Sequence, residues 1–174
     1  MDTDIKGLFN NLDHDWLIKI VKHRIDDKAF IRLIKKWVKA GILNPDGMVE
    51  YPSSGTPQGG IVSSVLVNIY LHFVLDRWFE KVVKSYCDGE AYLHRYADDF
   101  LVAFRYARVA DRFYESLKKR LSKFGLELSG EKTKIIKFTR FTKEARACFE
   151  FLGFEFRWGI DRNGRDTIRK THIP

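Results

Sequence analysis

Ala91-Tyr92-Leu93-His94-Arg95-Tyr96-Ala97-Asp98-Asp99-Phe100-Leu101-Val102-Ala103-Phe104 is the stretch that decides how the chain folds. Residues 91–96 and 100–104 are dense in aromatic and apolar side chains and read as two strands around a tight turn, Ala97-Asp98-Asp99. That hairpin carries two acids at its tip. Aspartates are common in turns, where most only face water, so the pair needs company before it means chemistry.

Working outward, Phe113, Leu117, Leu121 and Phe124 recur at helical spacing and point inward, and Gly125 closes their helix. Its outer face carries Lys118, Lys119, Arg120 and Lys123. Strands are expected near 126–128 and 133–139. A last hairpin over 149–158 returns after the turn Asp161-Arg162-Asn163-Gly164. Its Phe151, Leu152 and Phe154 are expected to anchor it in the core. Upstream, residues 2–8 read as a short strand, and Trp16, Leu17, Ile20 and Val21 mark a helical face after Asp13. Asp26 or Asp27 caps a second helix. Its buried stripe is Phe30, Ile34, Trp37 and Val38, and Gly41 ends it as a left-handed cap. A loop rich in Pro, Gly and Ser runs from Asn44 to Gly60. A long helix follows, with Ile61, Val65, Leu66, Ile69, Phe73, Trp78 and Val82 on its apolar side. The order, roughly βααα–ββ–αβ–ββ, is that of an α+β domain with helices packed on one face of an antiparallel sheet.

At 174 residues and 45% hydrophobic, the chain is long and apolar enough for one domain with a real core. No apolar run approaches the ~18 residues of a membrane span. The first ten residues, MDTDIKGLFN, are acidic where a signal peptide is basic, so no leader is expected. Cys87 and Cys148 are too few for a disulfide scaffold or a four-cysteine zinc site, and Cys148 reads as core. A reduced intracellular protein, cytoplasmic or nucleoid-associated, is the expectation. The net charge is +8, and residues 101–174 carry eighteen basic against nine acidic side chains. Residues 51–100 carry four against six. A basic C-terminal part suggests either a polyanion partner or a solvated basic helix.

Three carboxylates stand out: Asp4 on the first strand, and Asp98 with Asp99 on the hairpin turn. Neighbouring strands lie ~4.8 Å apart, so one sheet can bring Asp4 beside Asp98. Carboxylates that close repel, and a divalent cation is the usual reason to keep both ionised. Oxygen-only ligands favour Mg²⁺ or Mn²⁺ over zinc. Adjacent extended residues point to opposite faces, so only one of Asp98 and Asp99 is a full ligand.

These acids sit among further blocks. Tyr96-Ala97-Asp98-Asp99, with Asp4-Ile5-Lys6-Gly7-Leu8-Phe9 and Gly55-Thr56-Pro57-Gln58-Gly59-Gly60, resembles the reverse transcriptases of group II introns and their bacterial relatives. Gly125-Leu126-Glu127-Leu128-Ser129-Gly130-Glu131-Lys132-Thr133 looks like the family's next block, and Phe151-Leu152-Gly153-Phe154 like the one after. The resemblance implies a ferredoxin-like polymerase palm with a C-terminal β-hairpin, spanning residues 1–174. It implies RNA-directed DNA synthesis, in which Asp4 and Asp98 bind two Mg²⁺ ions (Mn²⁺ substituting). Asp99 is required nearby, and the Ile5 carbonyl completes one metal site. Phe9 blocks the 2′-hydroxyl of a ribonucleotide. Gln58 touches the nascent base pair or the incoming nucleotide, Gly59 in the same nucleotide-binding loop permits close backbone approach, and Lys132 stands near the departing pyrophosphate. Tyr96 and Gly153 lie by the primer, with Gly153 letting its hairpin pass close to another backbone. Lys118, Lys119 and Lys123 hold duplex phosphates. The implied partners are an RNA template, a DNA primer, a deoxynucleoside triphosphate and intron RNA, with no membrane.

Leu8 and Asn10 stand where an aromatic and an Asp are commoner in the family, and Ser64 replaces a usual proline. The family's fingers blocks and its thumb, or maturase, domain do not fit in this length, so the isolated chain is expected to be weakly active or inactive. The competing reading is a non-catalytic RNA-binding or maturase remnant that assists intron splicing. Other two-metal palm enzymes fit less well. The Gly-Gly-Asp/Glu-Glu-Phe signature of nucleotidyl cyclases is absent, and an aromatic at position 9 disfavours an RNA-directed RNA polymerase.

Overall fold

In the computed structural model, which describes residues 1–43, 48–50, 54–56, 60–130, 133–141 and 147–173, the chain opens on two very short strands. These are β1 (Asp2–Thr3) and β2 (Ile5–Lys6), with Asp4 between them. The strand expected over 2–8 is therefore broken at Asp4. Gly7 is left-handed at φ 56° and starts a one-turn helix, α1 (Leu8–Asn11). α2 (His14–Lys22) begins where the Asp13 carboxylate accepts from the Trp16 N–H at 2.8 Å. α3 (Lys28–Val38) begins where Asp27 accepts from Ala29 and Phe30 at 2.7 and 3.0 Å. Both are side-chain N-caps, and Asp27 rather than Asp26 is the second one. α3 buries Ile31, Ile34 and Val38 against α2, while Phe30 and Trp37 stay exposed at its flank. It ends on Lys39 in right-handed conformation, so Gly41 is no left-handed cap.

β3 (Ile42–Leu43) and β4 (Val49–Glu50) pair antiparallel. α4 (Ile61–Leu71) then runs without a break through two wide π-turns, His72–Asp76 and Phe79–Val83, into a last tight turn at Lys84–Tyr86. After each wide turn an N–H reaches five residues back, Arg77 to His72 and Lys84 to Phe79. The expected inward stripe is largely turned out: Ile61 is 91% and Val65 56% exposed, and Ile69 and Val82 are exposed as well. Leu66 is buried as expected and Phe73 and Trp78 pack half-buried against the core, while Val67, Tyr70, Leu71, Val74, Leu75 and Phe79 take the remaining inward positions. The run is apolar on nearly every side, so its spacing does not select a face; its neighbours do.

β5 (Ala91–Tyr96) and β6 (Asp99–Phe104) form the expected hairpin, with Tyr96 paired to Asp99. The turn is therefore two residues, Ala97-Asp98, with Asp99 already in the strand. α5 (Ala107–Ser122) follows, Gly125 closes it at φ 71°, and β7 (Glu127–Leu128) comes next. Residues 133–139 form no strand beyond a single bridge at Lys134. Thr133 is held locally instead: its N–H and hydroxyl both donate to the Ser129 carbonyl, and its hydroxyl meets that of Thr3 at 2.6 Å. β8 (Cys148–Phe151), β9 (Phe154–Ile160) and β10 (Asp166–His172) make a three-stranded meander, one strand more than a hairpin.

The central sheet has the order β1-β6-β5, and β2 pairs with β7 beside it. On the helix-facing side Phe100 and Val102 are buried, and Phe104 meets Phe79 and Phe113 at ring distances of 6.2 and 5.1 Å. On the other side Tyr92, His94 and Tyr96 are exposed. This is an α+β arrangement, with its helices on one face of an antiparallel sheet. The C-terminal meander makes its own aromatic cluster, Phe149 lying 5.0 Å from both Phe138 and Phe156. Leu152 does not anchor it in the core; with Gly153 it forms the exposed two-residue β8–β9 turn, both at positive φ. Cys148 is exposed, because alternation in β8 gives the inward positions to Phe149 and Phe151. No helix among the described residues is long and apolar enough to cross a membrane.

Candidate active site

Strand register carries Asp4 to the head of the Asp98-Asp99 hairpin. β1 pairs with β6 as Asp2 to Leu101 and Thr3 to Phe100. The next pair in that register is Asp4 and Asp99, and pairing stops just there. Asp4 marks where the chain leaves β6 for β7: its carbonyl accepts from the Ser129 N–H at 2.9 Å, and Ile5 pairs with Leu128. Asp4 Oδ1 is out of solvent, Asp98 is half-buried at the turn, and Asp99 is exposed at the head of β6. The two adjacent acids of the turn therefore occupy different surroundings. Ile5 has a fully buried side chain, which leaves its backbone as the group available for chemistry.

The donors here are carboxylate and carbonyl oxygens, which suit a hard divalent cation. No three His, Cys, Asp or Glu side chains among the described residues converge on one point.

Phe9 lies in α1, half-buried against the core. The segment that leads toward Gln58 is docked on the same helix. Gly55 N–H donates to the Leu12 carbonyl at 2.8 Å and Thr56 N–H to the Phe9 carbonyl at 2.7 Å. Gly55 has φ 85°, and a Cβ there would stand 2.6 Å from the carbonyl oxygens of Phe9 and Asn10. Only glycine fits that approach. Beyond it, the Thr56 hydroxyl pairs with that of Ser63 in α4 at 2.8 Å. Gln58, Gly59 and Lys132 lie outside the described residues.

Tyr96 is 67% exposed on the open face of the sheet, across from Asp99. The basic residues of α5 separate into two kinds. Lys119 and Lys123 are exposed. Lys118 is tied to Glu115 at 2.7 Å, and this bond raises its ammonium above the ordinary lysine value. Arg120 is not on the outer face: it lies 4.6 Å over the Phe124 ring and donates to the Val74 carbonyl at 3.0 Å. Burial lowers its pKa from the ordinary arginine value. Gly153 has nothing within 4 Å of where a Cβ would stand, so its φ of 77° and not a close approach requires glycine.

Three residues at this site escape sequence reasoning. Arg95 donates through Nε and one terminal nitrogen to both carboxylate oxygens of Asp76, each at 2.7 Å. Its other terminal nitrogen donates to Asn68 Oδ1 and to the Ala97 carbonyl, each at 2.8 Å. In the sequence the only signal is an arginine at an inward position of β5, where a charge demands a partner.

The family model for reverse transcriptase (RNA-dependent DNA polymerase) matches residues 1–156. The chain is similar to the group II intron-encoded protein LtrA of Lactococcus lactis subsp. cremoris, 47% identical over 72 residues, which are 41% of this chain and 12% of that protein. It is similar to the putative COX1/OXI3 intron 1 protein of Saccharomyces cerevisiae, 37% identical over 90 residues, 52% of this chain and 11% of that one. The chain thus spans about a tenth of the length of these curated relatives. Among solved structures, telomerase from Candida albicans, in complex with a TWJ fragment of telomeric RNA, matches with a TM-score of 0.69 and 16% identity. That match covers 90% of this chain and 29% of the telomerase chain, and at such identity the likeness is one of fold.

Proposed function

The chain belongs to the reverse transcriptase family, and from that premise we propose that residues 1–174 supply the palm of a group II intron-type RNA-directed DNA polymerase. The observation that carries the reading is the register of β1 on β6, which runs out at Asp4 opposite the head of the Asp98-Asp99 hairpin.

The reaction is attack of a primer 3′-hydroxyl on the α-phosphorus of a deoxynucleoside triphosphate. The hydroxyl gives up its proton to solvent, a new O–P bond forms, the bond to the bridging oxygen breaks, and pyrophosphate leaves with that electron pair. Asp4, Asp98 and the Ile5 carbonyl would hold the two Mg²⁺ ions, with Asp99 supporting them. Bound there, such ions lower the pKa of the attacking hydroxyl and stabilise the leaving oxygen. The side chains do the positioning that dominates phosphoryl transfer. Phe9 lies under the sugar and leaves no room for a 2′-oxygen. Gln58 and Gly59 contact the nucleotide, and Lys132 offsets charge on the pyrophosphate. Tyr96, on the open face of the sheet, supports the primer end with Gly153. Lys119 and Lys123, with Lys118 beside them, contact backbone phosphates of the RNA–DNA duplex. Intron RNA is the natural template.

The test places residues 1–174 in the matching segment of the Lactococcus lactis intron-encoded protein and measures primer extension on an RNA template with Mg²⁺. Extension that Asp98→Asn abolishes is the expected result. A chimera that binds RNA and extends nothing overturns the polymerase reading in favour of the RNA-binding remnant.

A further inference from the structure

We propose that Arg95, Asp76 and Asn68 are positioning residues that set the orientation of Asp98, and that the wide turn at His72–Asp76 brings their acceptors to one guanidinium. This rests on Asp98 as a metal-binding carboxylate.

The turn itself needs outside support. Ala97 has φ 53°, a region that L-residues mostly avoid and achiral glycine enters freely. A two-residue hairpin turn ordinarily recruits glycine or asparagine at such a position. Here a bond from Arg95 to the Ala97 carbonyl, 2.8 Å long, accompanies the alanine. The peptide bond is planar. Fixing the Ala97 carbonyl therefore fixes the plane of the Ala97–Asp98 peptide, and with it the direction in which Asp98 begins.

The guanidinium is itself held from the helical layer. Inward alternation of β5 aims Arg95 at the helices, where its side chain is 11% exposed. Asp76 grips it through two parallel charge-assisted bonds, which specify orientation as well as distance. Asn68 accepts from the nitrogen that also holds Ala97. In an unbroken α-helix, residues eight apart are about 80° out of line. The extra residue in the wide turn removes part of that offset, so Asn68 and Asp76 face the same group. A wide turn inside an α-helix is a common mark of a functional site.

The experiment uses Mn²⁺ alone as the ion and reads two quantities in the full chain: Mn²⁺ affinity, and the NMR positions of the Asp98 and Asp99 amides without metal. The variants are Arg95→Lys, which loses the fork, and Asn68→Leu and Asn68→Asp at an exposed helix position that does not threaten folding. Asp98→Asn is the control for the metal reading. Partners behind a metal ligand typically govern about 10- to 100-fold in affinity. We expect Arg95→Lys to shift the turn amides and lower Mn²⁺ affinity about 10-fold or more. Asn68→Leu should do so more weakly, and Asn68→Asp, which keeps the acceptor, should retain the parent's values. Unmoved turn amides in Arg95→Lys and Asn68→Leu overturn the brace. Moved amides with unchanged Mn²⁺ affinity, where Asp98→Asn does lower it, reduce these residues to structural supports and overturn the positioning role. If Asp98→Asn itself leaves Mn²⁺ binding intact, the metal reading of Asp98 fails, and the turn amides alone decide whether the brace exists.

Discussion

Replacing Tyr70 with phenylalanine tests how α4 and the end of α5 are locked together. The Tyr70 side chain is fully buried, and its hydroxyl donates to the Phe124 carbonyl at 2.7 Å. That carbonyl lies just past α5, before left-handed Gly125. Tyr70→Phe removes the donor and strands a buried acceptor, which costs about 1–3 kcal/mol. For a chain of this size that is a fall in Tm of about 2–12 °C. The pH dependence has a definite sign. Burial pushes the Tyr70 phenol above its ordinary value of about 10, and the negative charge of Asp13 adds to the effect. A pKa raised in the folded state means a contribution that is complete below pH 10 and is lost as the unfolded chain ionises above it. At pH 11 the loss is about 1.4 kcal/mol. The phenylalanine variant has no phenol to ionise, so the gap between parent and variant narrows by that amount. Urea denaturation of both proteins at pH 7 and pH 11 measures it. A gap below about 0.5 kcal/mol at pH 7, the range of an indifferent surface change, would refute the locking bond. An equal gap at both pH values would refute the burial of the phenol.

Phe9→Val, made in the full-length chimera, should raise ribonucleotide incorporation while deoxynucleotide incorporation stays near the parent's; competition assays between the two nucleotides read it, and an unchanged ratio removes the gate from Phe9. Changing Lys119 and Lys123 together to alanine should weaken RNA–DNA duplex binding alike on unrelated sequences. The slope of log affinity against log salt should then flatten by about 1 for each phosphate no longer neutralised; a sequence-selective weakening would contradict a backbone-only role. Gly55→Ala should destabilise the fold by more than ~1 kcal/mol, since it meets both a positive φ and two carbonyl oxygens at 2.6 Å; thermal unfolding of that variant within a degree of the parent would show that the docking on α1 gives way freely.

The chain's local chemistry is legible in its sequence. Asp13 and Asp27 cap their helices because an N-cap bond spans only two or three residues. The alternation of 91–104 and its short polar turn specify the hairpin for the same reason. The ordered blocks around Asp4, Asp98 and Gly125 carry the family. Choices between equivalent local solutions are not legible there. The 61–86 helical run is apolar on nearly all sides, so any face satisfies its own periodicity, and only packing against α1, α2 and the sheet turns Leu66, Tyr70 and Phe79 inward and Ile61 and Val65 out. Residues 133–139 have the composition of a strand and lack a ladder partner beyond one bridge at Lys134. Arg95 is one cation among thirty-one Lys and Arg until the wide turn sets Asp76 and Asn68 beside it. Backbone bonds between neighbours are written in short stretches of sequence. The company of a side chain nineteen or twenty-seven residues from its partners is decided when helix and sheet pack.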